Sequence, residues 1–284
     1  MQTFTLHTHT IGFDGANTIA EMVASARAAG FSALGVSNHF IVHPEITHAR
    51  MYPHAVRGGY DAIYLDSFDR VMEKFRPHYT ELRQFQSTTD MQILCGMEVD
   101  FFPSAWWRDG FLRAIDELRP DYVIGSSHFI YYDNNVCNVH DMANASPDVR
   151  DEMLQMYWDK VAAAASSGLF TWMAHVDLPK KVGLGRDEKW CMAENRAMDA
   201  IASAGIAMEI NTGLYKPEMY EPYPSARILR AAAAKNIPVL LSDDAHKSCQ
   251  LGRHFDETCK FAHECGVTNF ATLHNLLDFS QKTI

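Results

Sequence analysis

Side chains that can bind metal ions recur in short motifs along this 284-residue sequence, which contains 14 histidines. Nine of these side chains stand out by their positions: His7, His9, Asp14, His39, Glu98, His128, His175, Asp244 and His246. Imidazole and carboxylate ligands without thiolates suit zinc, manganese or iron rather than a structural cysteine site. Because nine ligands exceed the needs of one ion, the sequence predicts two or three divalent ions.

A scaffold that could position these residues is visible in the alternation of short apolar runs with helical patterns. The predicted strands span 3–9, 32–38, 92–98, 121–126, 170–175, 206–211 and 237–242. The predicted helices span 18–29, about 60–86, 109–118, 147–166, 188–204, 224–235 and 253–265. Seven alternating units predict an α/β fold with a parallel sheet, closed or nearly closed as a seven-stranded barrel. We expect a single domain over 1–284, with 40–59 inserted over the carboxyl-end face as one of three long loops.

The candidate ligands fall at the carboxyl ends of these strands or in the loops just after them. His7 and His9 lie two residues apart on the first strand, so both point to the same side. A lone histidine at a strand end is usually an ordinary polar residue. Chance seldom places a histidine or carboxylate at six of seven strand ends, as this sequence does. Since barrel enzymes carry their chemistry at this face, the pattern predicts a metal-dependent active site.

Composition narrows the possible partners and cellular location. The chain has 25 basic and 35 acidic side chains, a formal net charge of −10, which disfavours a nucleic acid as partner. Its apolar stretches are far shorter than the roughly 18 residues that span a bilayer. No charged-then-apolar leader is visible, so we expect a soluble, cytoplasmic protein without a membrane partner. The six cysteines form no CxxC pair and are expected to be reduced thiols.

Seven motifs, taken in order, resemble those of the PHP (polymerase and histidinol phosphatase) superfamily. They are HTHT at 7–10, SNH at 37–39, GMEVD at 96–100, DYVIGSSHFI at 121–130, MAHVDLPKK at 173–181, MEINTG at 208–213 and SDDAH at 242–246. The resemblance extends from residue 6 to about 256, and its second half is most similar to histidinol-phosphate phosphatases. It implies a distorted (β/α)7 barrel that holds a trinuclear metal centre.

The resemblance also implies which residues share each ion. The first ion would be held by His7, His9, Glu98 and Asp244, the second by Asp14, His39 and His246, and the third by Glu98, His128 and His175. The sequence departs from the phosphatase pattern in its first loop, where Gly15 stands at the position of a usual histidine and Asp14 precedes it. It also has Ser242-Asp243 where Gly-Ser is commoner, and the spacing to His246 favours Asp244 over Asp243 as the ligand.

The activity implied by the resemblance is metal-dependent hydrolysis of a phosphomonoester, most of all L-histidinol phosphate in histidine biosynthesis. Glu98, Asp244 and His246 are the candidate catalytic residues. The partner would be a small phosphorylated metabolite, and the candidate substrate contacts are Lys181, Arg253, His43 and Asn211. The general acid stays open between His43, His246 and a metal-bound water. Asn211 would form a hydrogen bond with a ligand or with a metal-bound histidine. An equally good alternative is that Glu209 simply forms an ion pair with a lysine of the barrel.

Other functions remain as alternatives. A nucleotide phosphatase, a sugar phosphatase or a protein-tyrosine phosphatase of the same superfamily would use the same ligands. A deaminase of the amidohydrolase type lacks the positions of Glu98 and His128. A barrel that serves only as a binding scaffold would be expected to have lost ligands, whereas all nine are present. The sequence is compatible with an oligomer but does not predict one.

Overall fold

The computed structural model describes residues 2–213 and 221–283, which form eleven strands and ten helices. The strands are β1 Phe4–Thr5, β2 Ala33–Val36, β3 His39–Val42, β4 Tyr64–Leu65, β5 Gln92–Asp100, β6 Tyr122–Ser126, β7 Phe129–Tyr132, β8 Asn135–Asn138, β9 Trp172–Met173, β10 Ala207–Asn211 and β11 Val239–Ser242. The helices are α1 Ile19–Ala28, α2 Tyr52–Gly58, α3 Phe68–Thr88, α4 Ala105–Leu118, α5 Val139–Asn144, α6 Pro147–Ser166, α7 Cys191–Ala204, α8 Ala226–Ala234, α9 Phe255–Glu264 and α10 Leu273–Thr283. No helix among these is long and apolar enough to cross a bilayer.

Seven strands form the barrel, in the order β1-β2-β5-β6-β9-β10-β11, and all neighbouring pairs are parallel. The two ends of this sheet meet just beyond β1 and β11. There, His9 N donates to Ala245 O at 2.8 Å and Ala245 N donates to His7 O at 3.2 Å. The predicted nearly closed (β/α)7 barrel is therefore confirmed, and its closure brings the HTHT motif beside the SDDAH motif.

The predicted second strand, 32–38, is interrupted in the structure. β2 ends at Val36 and a separate strand, β3, begins at His39, although both pair with β5. Between them, the carbonyls of Ser37 and Asn38 both accept from Glu98 N, at 3.2 and 3.1 Å. This break explains why His39 opens a strand rather than closing one, and it places His39 directly opposite Glu98.

The long insertions contain more structure than the sequence predicts. Segment 40–59 holds most of β3, a 3-10 turn at Ile46–His48 and α2, and the predicted helix 60–86 begins only at Phe68 because β4 precedes it. The loop at 129–146 contains α5 and an antiparallel hairpin of β7 and β8. Asp133 and Asn134 turn that hairpin with φ of 46° and 58°, as tight two-residue hairpin turns require. These errors arose because short strands carry little periodic signal.

The barrel interior below the site is filled by large aromatic side chains. The rings of Tyr122 and Trp172 stack at 4.9 Å, and the Tyr122 hydroxyl donates to Leu6 O at 2.5 Å. A Cβ at Gly96 would lie 2.1 Å from the Tyr122 ring, so glycine is needed there. Leu276 of α10, a helix that the sequence did not predict, joins this cluster. The polar residues at the strand ends therefore lie above a layer of buried apolar side chains.

Candidate metal centre

All nine candidate ligands converge at the carboxyl-end face of the barrel, and Glu98 lies at their centre. Glu98 Oε2 is 2.7 Å from His39 Nδ1 and 3.3 Å from His7 Nε2. Glu98 Oε1 is 2.9 Å from His175 Nε2 and 3.3 Å from His128 Nε2. One buried carboxylate thus faces four imidazoles from four different segments, as a carboxylate that bridges ions would.

The remaining ligands surround two further carboxylates beside Glu98. Asp14 Oδ2 lies 3.1 Å from His39 Nε2 and 3.0 Å from His246 Nε2, and Asp14 Oδ1 lies 3.4 Å from His9 Nδ1. Asp244 Oδ1 is 3.1 Å from His9 Nε2. His9 therefore lies between the two carboxylates, and no described lysine or arginine side chain takes part in these contacts.

The departure in the first loop has a steric cause. A Cβ at Gly15 would lie 2.4 Å from the backbone carbon and oxygen of His9. A histidine at position 15 is therefore incompatible with this loop, because the loop folds back onto the backbone of His9. Asp14 supplies the ligand-capable group from one residue earlier.

The donor atoms fit divalent ions. Six of them are buried and make no hydrogen bond of good geometry, although His39 Nδ1 and Glu98 Oε2 lie 2.7 Å apart: His7 Nε2, His9 Nδ1, Asp14 Oδ1, His39 Nδ1, Glu98 Oε2 and His175 Nδ1. Unpaired buried polar atoms are costly, and shared cations would satisfy them. Three groups have donor atoms within 4.8 Å of one another: His9, Asp14, His39 and His246; His7, His9 and Glu98; and His39, Glu98 and His128. His9 and His39 each belong to two of these groups. In the three ligand sets implied by the resemblance, neither histidine is shared between ions.

The charges of the site are strongly coupled. Burial raises the pKa of Glu98, but His39, His128 and His7 hold that pKa well below its usual range. Burial also lowers the pKa of His39, yet Asp14 and Glu98 raise it well above normal. His9 has a pKa lowered to about 4, first by burial and then by His246. The Glu98 side chain is therefore held as a carboxylate, the form in which it can bind a metal ion.

Glu209, at the centre of β10, orients His7 from behind. It accepts from His7 Nδ1 at 2.9 Å, from Trp172 Nε1 at 3.2 Å and from Asn211 Nδ2 at 2.6 Å. The alternative prediction, that Glu209 pairs with a lysine of the barrel, is therefore wrong. Asn211 Nδ2 also lies 3.3 Å from Asp244 Oδ2, so Asn211 supports the ligands. The two-residue spacing of Glu209 and Asn211 was the signal for this pair.

Asp100 plays a similar part behind His128, and sequence reasoning missed it. Asp100 Oδ2 accepts from His128 Nδ1 at 3.1 Å and from His128 N at 2.9 Å. Lys160 Nζ donates to the other oxygen, Oδ1. The available signal was its position, two residues after Glu98 and therefore on the same side of β5.

A cavity of about 240 Å³ opens above the metal-binding groups. The ligand side chains on its wall are Asp14, His39, His128, His175, Asp244 and His246. Of the four predicted substrate contacts, Lys181 also lies on this wall, whereas His43, Asn211 and Arg253 are not among the described residues that line it.

Arg253 and His43 are engaged elsewhere. The Arg253 guanidinium donates to Gly213 O at 2.8 Å and to Asp243 O at 2.9 Å, because these backbone carbonyls lie within its reach. The His43 ring packs 4.7 Å from the ring of Phe102. Arg253 and His43 therefore lie off the described cavity wall, and contact of either with the substrate stays a prediction.

Comparison with known proteins agrees with this architecture. A family model described as PHP domain matches residues 4–213. A "Probable histidinol-phosphatase" from Deinococcus radiodurans is 30% identical over 213 residues, which cover 73% of this chain and 77% of that protein.

Solved structures show the same fold. A candidate histidinol phosphatase from Listeria monocytogenes has a TM-score of 0.72 at 20% identity, over 90% of this chain and 100% of that chain. Histidinol phosphate phosphatase from Lactococcus lactis, complexed with zinc, L-histidinol and phosphate, has a TM-score of 0.69 at 18% identity, over 97% of this chain and 98% of that chain. These two bear on the fold, whereas the family model and the D. radiodurans relative define the family: this chain belongs to the PHP domain family.

Proposed function

We propose that this chain is a metal-dependent phosphomonoester hydrolase that converts L-histidinol phosphate to histidinol and inorganic phosphate. The observation that carries the proposal is the cavity whose wall combines the candidate metal-binding groups with the basic residue Lys181. The name of the D. radiodurans relative supports the choice of substrate. The zinc, L-histidinol and phosphate in the L. lactis protein support the choice of ligand chemistry.

The residues have distinct roles in this hydrolysis. Two or three zinc, manganese or iron ions would be held by the nine ligands, with Glu98 shared between ions. Such ions supply Lewis acidity to a phosphoryl group and bring the pKa of water toward neutrality. Glu209 and Asp100 keep His7 and His128 turned toward Glu98. Lys181 binds the phosphoryl oxygens of the ester through its positive charge.

The outer wall of the cavity suits the alcohol half of histidinol phosphate. Tyr60, Ile63 and Tyr64 come from the segment between α2 and α3, and Asn138 and His140 come from the insertion at 129–146. Aromatic rings beside amide and imidazole groups can contact both the imidazole ring and the amine of histidinol. A volume of about 240 Å³ is below the roughly 300–1,000 Å³ of drug-sized ligand sites, which favours a small ester over a nucleotide or a phosphotyrosyl peptide.

Tyr64→Ala is expected to weaken recognition of the alcohol half. Loss of one pocket side chain is worth about 1–3 kcal/mol, so kcat/KM for histidinol phosphate should fall by roughly 10- to 100-fold. Activity on p-nitrophenyl phosphate should change much less, because the phosphoryl contacts stay in place. Steady-state kinetics with both substrates measure the difference. Tyr132→Ala is the matched control, since Tyr132 donates to Glu152 and does not line this cavity. An equal loss on both substrates would contradict the assignment of Tyr64 to the alcohol half.

Lys181→Ala is expected to raise KM by about tenfold or more, because a hydrogen bond to a charged group is worth about 1.5–3 kcal/mol. The change in kcat should be smaller if Lys181 binds the phosphate equally in the ground state and the transition state. Lys181→Arg should recover part of the loss. Lys189→Ala serves as a control, because Lys189 is exposed and pairs with Asp151. An unchanged KM in Lys181→Ala would remove this lysine from the substrate site.

The proposed function is tested by phosphate release from a panel of esters by metal-loaded protein. The panel holds histidinol phosphate, sugar phosphates, nucleotides and a phosphotyrosyl peptide. We expect kcat/KM for histidinol phosphate to exceed the others by about a thousandfold, which corresponds to about 4 kcal/mol of transition-state discrimination. A preference for any other ester would overturn the proposed substrate. No phosphate release from any ester would overturn the proposed reaction.

A further inference from the structure

A buried ion pair lies directly behind His128, outside the set of candidate ligands. Lys160, in the middle of α6, is only 6% exposed, and Asp100 is fully buried. Lys160 Nζ donates to Asp100 Oδ1 and to Phe129 O, both at 2.5 Å, and lies 4.6 Å from the centre of the Phe102 ring. Burying two charges is costly and is often less stable than apolar packing, so the pair calls for a reason other than stability.

The second oxygen of Asp100 determines which nitrogen of His128 carries a proton. Asp100 Oδ2 accepts from His128 N and from His128 Nδ1. With the proton on Nδ1, the lone pair of Nε2 is free and lies 3.3 Å from Glu98 Oε1, within the third metal-binding group. A carboxylate that holds a histidine in this way fixes both its tautomer and its orientation toward a metal.

The supports of His7 and His128 differ in charge. Glu209, behind His7, receives hydrogen bonds from Trp172 and Asn211, which are neutral donors. Asp100, behind His128, receives one from the lysine ammonium instead. An ammonium group donates hydrogen bonds but cannot accept them. The atom of residue 100 that faces Lys160 must therefore be an oxygen.

We propose that Lys160 and Asp100 are positioning residues that fix His128 as a metal ligand, with Lys160 dictating which way the side chain at position 100 presents its acceptor. This inference rests on the proposed metal-dependent function. It predicts an unusual result for the isosteric variant Asp100→Asn. Lys160 will hold the amide oxygen, so the amide NH₂ will face His128, move its proton to Nε2 and block metal binding there.

The test is a double-variant comparison with metal binding as the readout. Zinc affinity and stoichiometry are measured by competition with a chromophoric chelator, and thermal melts check folding. We expect Asp100→Asn to weaken one bound ion by about 10- to 100-fold. Adding Lys160→Met frees the amide to turn its oxygen to His128, and this double variant should recover most of the lost affinity. A purely structural role of the pair predicts no such recovery.

A second ion pair, Glu194 with Arg227, provides the matched control. Glu194→Gln with Arg227→Met removes another ion pair, away from the ligands, and should leave zinc binding unchanged. Full zinc affinity in Asp100→Asn, or no recovery in the double variant, would overturn the inference. If Asp100→Asn does not fold, the double variant decides alone, because near-normal binding of all ions supports the inference and loss of an ion overturns it. Wild-type protein that binds neither zinc nor manganese nor iron would instead refute the proposed metal-dependent function itself.

Discussion

Glu98→Gln is expected to lower kcat by at least about a thousandfold, the upper range for loss of one preorganised electrostatic group. It should also release at least one bound ion. Glutamine keeps the size of the side chain but replaces one carboxylate oxygen with an NH₂ group. That group would face imidazole nitrogens that now lie 2.7 to 3.3 Å from carboxylate oxygens. Phosphate release and elemental analysis of the purified variant measure the two effects.

The control for Glu98→Gln is Glu152→Gln, the same chemical change at an exposed position on α6. Glu152 accepts only a surface hydrogen bond from Tyr132 among its described contacts, so activity and metal content should stay normal. If Glu98→Gln kept both its ions and its turnover, Glu98 would have no place at the centre of the site.

Removal of the metal ions should abolish turnover and lower the melting temperature by roughly 10 °C. Ligands that bind only the native state at a thousandfold excess over Kd stabilise it by about 4 kcal/mol. In a domain of this size, each kcal/mol moves the melting temperature by roughly 2–4 °C. The structural reason is that six buried nitrogen and oxygen atoms of the candidate ligands make no hydrogen bond of good geometry within the protein. Bound ions would satisfy them.

This effect is measured by scanning calorimetry before and after treatment with a chelator, followed by readdition of zinc. Readdition should restore both the melting temperature and turnover. The Glu98→Gln variant should show a smaller shift, because it starts with fewer ions. A melting temperature that is insensitive to the chelator in the wild type would argue against ions that are part of the folded structure.

The convergence of the nine candidate ligands was predictable from the sequence because a parallel barrel gathers its strand ends at one face. Their roles as metal ligands, and the choice of Asp244 over Asp243 from its spacing to His246, stay predictions. In the structure, Asp244 lies beside His9, whereas Asp243 Oδ2 accepts from Gly252 N at 2.7 Å. Motif spacing was sufficient for Glu98, His128 and His175, which lie near the ends of β5, β6 and β9, whereas His39 opens β3 and Asp14 lies in a loop well beyond β1.

The supporting residues were harder to predict because their partners come from distant segments. Glu209 meets His7 across 202 residues of sequence, and Lys160 meets Asp100 across 60. The hydrogen bonds of the Arg253 guanidinium to backbone carbonyls could not be predicted either, because a loop position near the site does not reveal them. The single domain over 1–284 stays a prediction.

The most direct test of the metal centre is anomalous diffraction at the zinc absorption edge from crystals of the zinc-loaded protein. We expect two or three peaks among the groups formed by the nine ligands, with Glu98 contacting more than one of them. A single peak away from Glu98, or no peak at this face of the barrel, would contradict this expectation.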